Sequence, residues 1–522
     1  MKQLLTTLFI ATLIVADAQS LPVAQAKKCF GGSYKDEARS IQQTADGGCI
    51  IAGSADSYDG DVSGNHGGYD YWVIKLNRKG FTEWQKCFGG SYNDFAAGIE
   101  QTKDGGYVVT GCSYSDDGDV SGNHGLNDYW ILKLNNAGDI QWQKCLGGSG
   151  SDNAASITQT TDGGYVIAGY SYSDDGDVSG HHGIFNYADY WVVKLDEAGN
   201  MKWQKSIGGS NHDIANSVQQ TPDGGCIVAG YTASNNGDVS GNHGFDDCWL
   251  VKLSNTGAIQ WQKCFGGSNA DQAYSIQQAA DKGYIVAGTS LSTDGDVRGN
   301  HGGYDYWVIK LNMKGSVEWQ KCLGGSGRDE AHDIQQTKDG GYIIAGYSGS
   351  ADGDVSGNHG YYDYWIVKLN TAGNLQWQKC LGGNSQDAAQ SIQQTPDGGY
   401  AVAGYTYSKN NGDVRGNHGF DDYWIVKLNS GGNLAPQQYA SFSSYRSPFS
   451  ITISPNPVQS ILHIKGLSSN TNYELRIINE NGAVTMQSSA KNISSYNMDV
   501  SKLAAGIYYM QAEDVMVKFV KK

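Results

Sequence analysis

The chain has 522 residues, 72 of them Gly and only 7 Pro, and a formal charge of −16 at neutral pH. That acidic balance argues against nucleic acid and anionic lipid as partners, and 13 Trp with 33 Tyr supply core material that a disordered chain lacks. The charge is uneven: residues 1–18 sum to 0 and residues 450–522 to +2, so the section between them carries −18, which suits solubility or bound cations.

Residues 1–18 begin with Lys2, continue through a mostly apolar run over residues 4–16 and end in Ala16-Asp17-Ala18. This predicts a secretory signal peptide with a small-x-small cleavage site. No later run approaches the roughly eighteen apolar residues of a spanning helix, so the protein is expected to be exported, with no membrane-spanning segment. Residues 24–32 (AQAKKCFGG) then read as a lone strand. A Gly-Gly pair follows and comes round seven times, at Gly31, Gly89, Gly147, Gly208, Gly266, Gly324 and Gly382, in steps of 58, 58, 61, 58, 58 and 58 residues. A repeat that cannot bury its own core must stack on its neighbours.

Within the first unit the predicted strands are residues 38–44, 49–54, 71–77 and 81–87. Asp46-Gly47-Gly48 makes a tight hairpin between the first two. The third, YWVIKLN, is apolar and aromatic on both faces, as a sheet covered on both sides requires. The first is polar, with Gln42-Gln43 recurring as Gln219-Gln220, Gln277-Gln278, Gln335-Gln336 and Gln393-Gln394, which fits an innermost strand bordering a channel.

The long loop after the second strand carries the chemistry. Asp59, Asp61, Ser63, Asn65 and Asp70 track the calcium pattern D-x-D-x-S-G, with an acid at position twelve and Gly64 at the sharp turn. The second unit repeats it with Asp117, Asp119, Ser121, Asn123 and Asp128, and the sixth with Asp352, Asp354, Ser356, Asn358 and Asp363. These residues are expected to hold Ca2+. The competing expectation is a loop bonded to itself, Asp, Asn and Ser accepting backbone N–H groups. Asn236 and Asn411 at position one, and Arg298 and Arg415 at position five, depart from a cation site. One His per loop, at positions 66, 124, 182, 243, 301, 359 and 418, cannot converge on one metal around a ring and predicts a shared structural bond. No unlike groups stand out as a catalytic set.

Four antiparallel strands in 58 residues are the size of a propeller blade. Seven Trp mark the third strand but only six mark the fourth, since the seventh unit stops after Trp424. The N-terminal lone strand is expected to complete that last blade and close the ring; residues 437–442 are the alternative. Cysteines recur at one repeat position (Cys29, Cys87, Cys145, Cys264, Cys322, Cys380), too far apart in a ring for bridges, and are expected to be buried thiols. The unit resembles the SBBP type of β-propeller repeat of exported bacterial proteins. The matching run is Asp-Gly-Gly-aromatic, Ala-Gly-Tyr/Thr-Ser, Asp-Tyr-Trp-x-x-Lys-Leu, Gly-x-x-x-Trp and Gly-Gly-Ser. The resemblance implies fold and leaves function open.

Residues 435–450, rich in Ser, Gln and Pro, are the expected linker. In residues 451–522, alternating apolar residues and an Asn-Gly turn predict a small β-sandwich. Ser454-Pro455-Asn456-Pro457, Leu462-His463-Ile464, YELRIINENG, Asp499 to Leu503, Gly506-Ile507-Tyr508 and the closing Lys518 to Lys522 resemble the type A C-terminal sorting domain of type IX secretion in Bacteroidota. The resemblance implies handling by that secretion machinery and delivery outside the cell.

The expected architecture is thus all-β: a seven-bladed β-propeller over residues 22–434, then a small immunoglobulin-like β-sandwich. Any site belongs on the long-loop face or at the channel mouth. The expected role is a binding or adhesion scaffold with a glycan or protein ligand. The alternative is a carbohydrate-active enzyme working at the channel mouth.

Overall fold

In the first unit of the computed structural model the strands run Asp36–Gln43, Cys49–Ala55, Asp70–Leu76 and Thr82–Phe88. The first starts two residues earlier than predicted, because Asp36 pairs with Ala55 and its N–H donates to the Asp421 carbonyl of another unit at 2.7 Å. The hairpin forms as its residues dictate: Gly47 takes φ 83°, and the Asp46 carboxylate accepts from Thr44 Oγ1 at 2.5 Å and from Gly48 N at 2.8 Å. Any side chain at Gly48 would strike the Leu76 carbonyl. The third strand is buried along its whole length, which its unbroken apolar sequence permits.

Residues 27–183, 186–434, 452–465, 472–479, 484–491, 495–512 and 515–522 are described. The predicted signal peptide and linker lie outside them. The chain divides after Pro436 into two compact units.

The first unit holds seven four-stranded sheets and is a seven-bladed β-propeller. Blades one to seven begin with the strands at Asp36–Gln43, Asp94–Gln101, Asp152–Gln159, Asp213–Gln220, Asp271–Gln278, Asp329–Gln336 and Asp387–Gln394. Each blade buries its middle strands against the next: Tyr71 and Val73 of blade one pack with Tyr107, Val109, Trp130 and Leu132 of blade two. A Tyr hydroxyl donates across each such boundary but one to a Trp carbonyl, Tyr71 to Trp130 at 3.0 Å and Tyr306 to Trp365 at 2.8 Å among them. These two ring pairs sit at 4.6 and 4.4 Å. Cys248 stands where blade four would supply that Tyr, directly opposite Tyr231 on the neighbouring strand.

Closure uses the N-terminal strand. Lys27–Phe30 lies antiparallel to Asp422–Leu428 of blade seven, with Cys29 opposite Trp424. Leu434 bridges to Leu428, so the outer strand of this blade is composite: chain start at one end, chain continuation at the other. The Tyr423 hydroxyl reaches the Trp72 carbonyl at 3.0 Å, and Phe30, Ala403 and Tyr423 share one core with Ile51, Trp72 and Ile74.

The first strands are linked to one another by side chains, as the Gln pairs predicted for an axial position. Gln336 N donates to Gln277 Oε1 and Gln394 N to Gln335 Oε1, both at 2.5 Å. Ser40 Oγ accepts from Ile99 N at 3.4 Å. Each first strand carries a bulge after its third residue, as between Ala38 and Ser40, which pushes one residue out of the ladder.

The second unit has a three-stranded sheet (Thr452–Ser454, Ile461–Lys465, Ser495–Asp499) and a four-stranded one (Val484–Lys491, Asn472–Asn479, Gly506–Ala512, Val515–Lys521). Leu462, Ile464, Leu475, Ile477, Met498, Met510 and Phe519 form its own core, the immunoglobulin-like sandwich that the alternating pattern predicts.

Candidate functional site

The acidic loops are held by bonds that consume their polar groups one at a time. Asp59 Oδ1 accepts from Ser33 N at 2.7 Å, Asp117 from Ser91 N at 2.7 Å and Asp352 from Ser326 N at 2.7 Å. Position three turns its backbone to the Gly-Gly entrance: Asp61 N to Gly31 O at 2.9 Å, Asp119 N to Gly89 O at 2.9 Å, Asp354 N to Gly324 O at 2.8 Å. Ser63, Ser121 and Ser356 accept from Gln85, Gln143 and Gln378 of the fourth strand. Asn65, Asn123 and Asn358 donate back to the Ala55, Ser113 and Ser348 carbonyls at 2.9–3.0 Å.

Position twelve is buried and turned away. Asp70, Asp128 and Asp363 have no exposed surface and accept from His66, His124 and His359 Nδ1 at 2.6, 2.5 and 2.6 Å. The same clamp recurs for His182 with Asp189, His243 with Asp247, His301 with Asp305 and His418 with Asp422, so the seven His share one structural bond. Burial pushes the Asp70, Asp128 and Asp363 carboxyls up to about 6, against the opposing pull of the His partners. The carboxylate bond in turn raises His124 and His418. The residues expected to surround one Ca2+ therefore face different partners. Among the described residues no three His, Cys, Asp or Glu side chains gather as a metal-holding group. The Arg positions fit the self-bonded loop: Arg298 reaches the Gly295 and Val297 carbonyls at 2.6 and 2.7 Å.

A different set of residues breaks the seven-fold symmetry. The second residue of the first strand is Glu37, Phe95, Asn153, Ile214, Gln272, Glu330 and Ala388 in turn, while the next is Ala in every blade. The bulged residue is Arg39, Ala97, Ala155, Asn216, Tyr274, His332 and Gln390. Opposite the second position, on the second strand, stand Ser54, Cys112, Tyr170, Tyr231, Thr289, Tyr347 and Tyr405. The residue before the third strand is equally changeable: Tyr69, Asn127, Ala188, Asp246, Tyr304, Tyr362, Asp421. All four positions lie at the long-loop end of the inner strands, which is the channel mouth. Exposed hairpin tips at the other end vary as solvated turns do; these mouth positions, the exposed Arg39 apart, are half-buried or buried and rich in aromatic groups.

Their side chains, with near neighbours, assemble into two nests, and a third cluster lies close by. Between blades five and six the Tyr274 and His332 rings lie parallel, 3° apart with centroids at 5.1 Å. His332 also meets Tyr347 at 5.5 Å, and Tyr347 meets Tyr362 at 4.8 Å. Glu330, only 6% exposed, is paired with Arg328, whose guanidinium lies 5.1 Å over Tyr304. Burial would raise Glu330, but His332, Tyr347 and Arg328 outweigh it and hold the carboxyl below its usual range. Between blades seven and one, Arg39 pairs with Glu37 at 2.6 Å and lies 5.9 Å over Tyr405, while Lys35 lies 5.5 Å over Tyr407. Asp421 is fully buried there and neither of its oxygens accepts a well-formed hydrogen bond. Burial pushes it up to about 7, with the Tyr407 hydroxyl and the Glu37 carboxylate beside it. Near blades three and four His212 sits edge-on to Tyr172 and Tyr187 at 5.9 and 4.9 Å. Of the loop-end aromatics, Tyr92, Phe245 and Tyr361 are more than 60% exposed. Motif spacing does not single out these residues; setting the seven units against one another does, since what differs among them is not needed by the frame.

Comparison with known proteins bears first on the C-terminal unit. Residues 452–522 match the family model described as a secretion system C-terminal sorting domain. No curated protein matches the chain. Among solved structures, the extracellular domain of the one component system BT4673 from B. thetaiotaomicron is 12% identical with a TM-score of 0.41, over 97% of this chain and 57% of that one. The Pan2 WD40 domain of Neurospora crassa is 10% identical with a TM-score of 0.40, over 77% and 96%. A mutant puromycin hydrolase is 10% identical with a TM-score of 0.43, over 85% and 59%. With a β-propeller ahead of them, residues 452–522 are a secretion system C-terminal sorting domain, the mark of export by type IX secretion to the cell surface or the extracellular space.

Proposed function

We propose that the exported propeller is a binding module, an adhesion scaffold that takes its ligand at the channel mouth. The observation that carries this reading is the break in symmetry. Ala, Gly-Gly and the His–Asp clamp repeat from blade to blade, while the mouth positions, mostly half-buried, vary around the ring and collect Tyr, His, Arg and Glu. Sites that recognise one ligand need unlike groups in fixed places, and large rings with a few convergent polar groups are what such sites are made of. The test is binding of the full-length protein to arrayed glycans and to immobilised matrix proteins. Substituting Tyr405 and Tyr407 by Ala, or Tyr274 by Ala, is expected to weaken capture, and substituting the opposite-end residues Met313 and Val317 is expected to leave it intact. The reverse pattern would move the site to the other end.

A second reading is favoured by one observation: Asp421, raised to about 7, adjoins Glu37. A buried carboxyl raised in this way beside a second carboxyl is the equipment of a glycoside hydrolase, one acting as acid and one as base or nucleophile. A panel of chromogenic glycosides decides it. Turnover abolished by Asp421→Asn supports hydrolysis, and no turnover alongside retained glycan capture supports the binding module.

A further inference from the structure

We infer that the nest between blades five and six is a subsite for a neutral sugar residue. This rests on the reading of the channel mouth as a binding site and names the ligand class. A pyranose has an apolar C–H face and a rim of hydroxyls, so it is recognised by an aromatic face bordered by fixed polar groups. Tyr274 and His332 supply partly exposed parallel rings. Their position is set by the bulges of two adjacent first strands, Ala273/Ser275 and Ala331/Asp333, which push these two residues out of the ladder.

The polar border is held ready. Tyr274 OH donates to Gln272 Oε1 at 2.7 Å, and Glu330 is fixed by Arg328. His332 Nε2 is buried and stands 3.8 Å from Glu330 Oε2, so the imidazole is held by its edge toward that carboxylate while its plane stays parallel to Tyr274. The other blade boundaries repeat the frame without this set, since their bulged residues are Arg, Ala, Asn or Gln.

Two competing ligand classes fit less well. A peptide adding itself as a strand needs free backbone groups on a sheet edge, but the inner edges here are taken by neighbouring side chains, as Ser275 Oγ takes Ile334 N at 3.4 Å and Gln277 Oε1 takes Gln336 N at 2.5 Å. A polyanion meets an acidic chain and an Arg328 already paired with Glu330.

The test is calorimetric titration of the full-length protein with cellohexaose, xylohexaose, mannohexaose and maltohexaose, with hexagalacturonate as the anionic counterpart. At least one neutral hexaose is expected to bind. Tyr274→Ala and His332→Ala should each weaken it by about tenfold or more, and the milder Tyr274→Phe, which keeps the ring, by less. Retention of the melting transition separates lost contacts from lost folding. Binding of hexagalacturonate alone, or of none of the five, overturns the neutral-sugar assignment. Neutral binding that survives Tyr274→Ala and His332→Ala but is lost in Tyr405→Ala overturns this subsite while the channel-mouth reading stands. Neutral binding untouched by all three overturns both.

Discussion

At the level of single residues, the seven units serve as internal controls for one another. Where six boundaries carry a Tyr hydroxyl on a Trp carbonyl, as at Tyr190 to Trp249 at 2.9 Å, Cys248 leaves one without it. Cys248→Tyr is expected to raise stability by about 1–2 kcal/mol, from a hydrogen bond and an aromatic pair. Tyr306→Phe is expected to lose about 1 kcal/mol; urea unfolding checks both, and a loss for Cys248→Tyr would mean that the neighbouring core has closed into the space. The buried carboxyls set a pH trend. Burial lifts Asp36 and Asp213 to about 7 and Asp70, Asp247 and Asp305 to about 6. The native state therefore holds more protons than the unfolded chain between about pH 4 and 7, and stability falls as pH rises through that window. The raised His124, His243 and His418 act in the same direction. Asp104 and Asp162, held down to about 2 where their hydrogen bonds to Lys133 and Thr160 outweigh burial, lose their contribution only at lower pH. The urea midpoint should be higher near about pH 5 than near about pH 8; equal midpoints would mean that these carboxyls are solvated in the fold.

At the level of strands, the weak place is the composite edge of blade seven. In blade one Trp72 Nε1 donates to Gln85 Oε1 at 2.6 Å. The residue in that register on the closing strand is Lys27, opposite Val426, which cannot accept, and Trp424 Nε1 is left buried without a partner. Lys27 instead pairs with Asp413 at 2.8 Å across a part-exposed surface, where an ion pair contributes little. Lys27→Gln is expected to stabilise the ring by about 1 kcal/mol. Phe30, 2% exposed in the core shared by blades seven and one, should cost about 3–5 kcal/mol on replacement by Ala. Limited proteolysis that still spares the seventh blade in Phe30→Ala would refute its role as the fastening. The missing seventh fourth-strand Trp made the lone N-terminal strand legible in the sequence. Its division of labour with Leu434 was not, because a single bridging pair leaves no periodic trace.

At the level of the molecule, two separate cores predict two separable units. The sandwich core draws only on residues 458–519, and the seven propeller cores draw on none of them. Removing residues 452–522 is expected to keep the protein inside the cell while the ring folds with unchanged melting; escape to the surface without them would overturn the export assignment. Melting with millimolar calcium and with chelator should coincide, because the Asp59 and Asp70 carboxylates already have protein partners; a calcium-dependent rise would support the calcium reading of Asp59, Asp61 and Asp70. Repeat length, strand period, the Gln-Gln inner strands and the C-terminal sorting domain follow from residue order, since each is a pattern local to a few dozen residues. Which polar groups meet is decided across a distance no local pattern spans. Asp59 finds Ser33 26 residues away and Tyr274 lies on His332 58 residues on. The loops carry a cation pattern in sequence, and in the fold their Asp59 and Asp70 carboxylates are bonded to the frame. The channel mouth, unmarked by motif spacing, gathers its side chains only when seven sheets wedge around one axis.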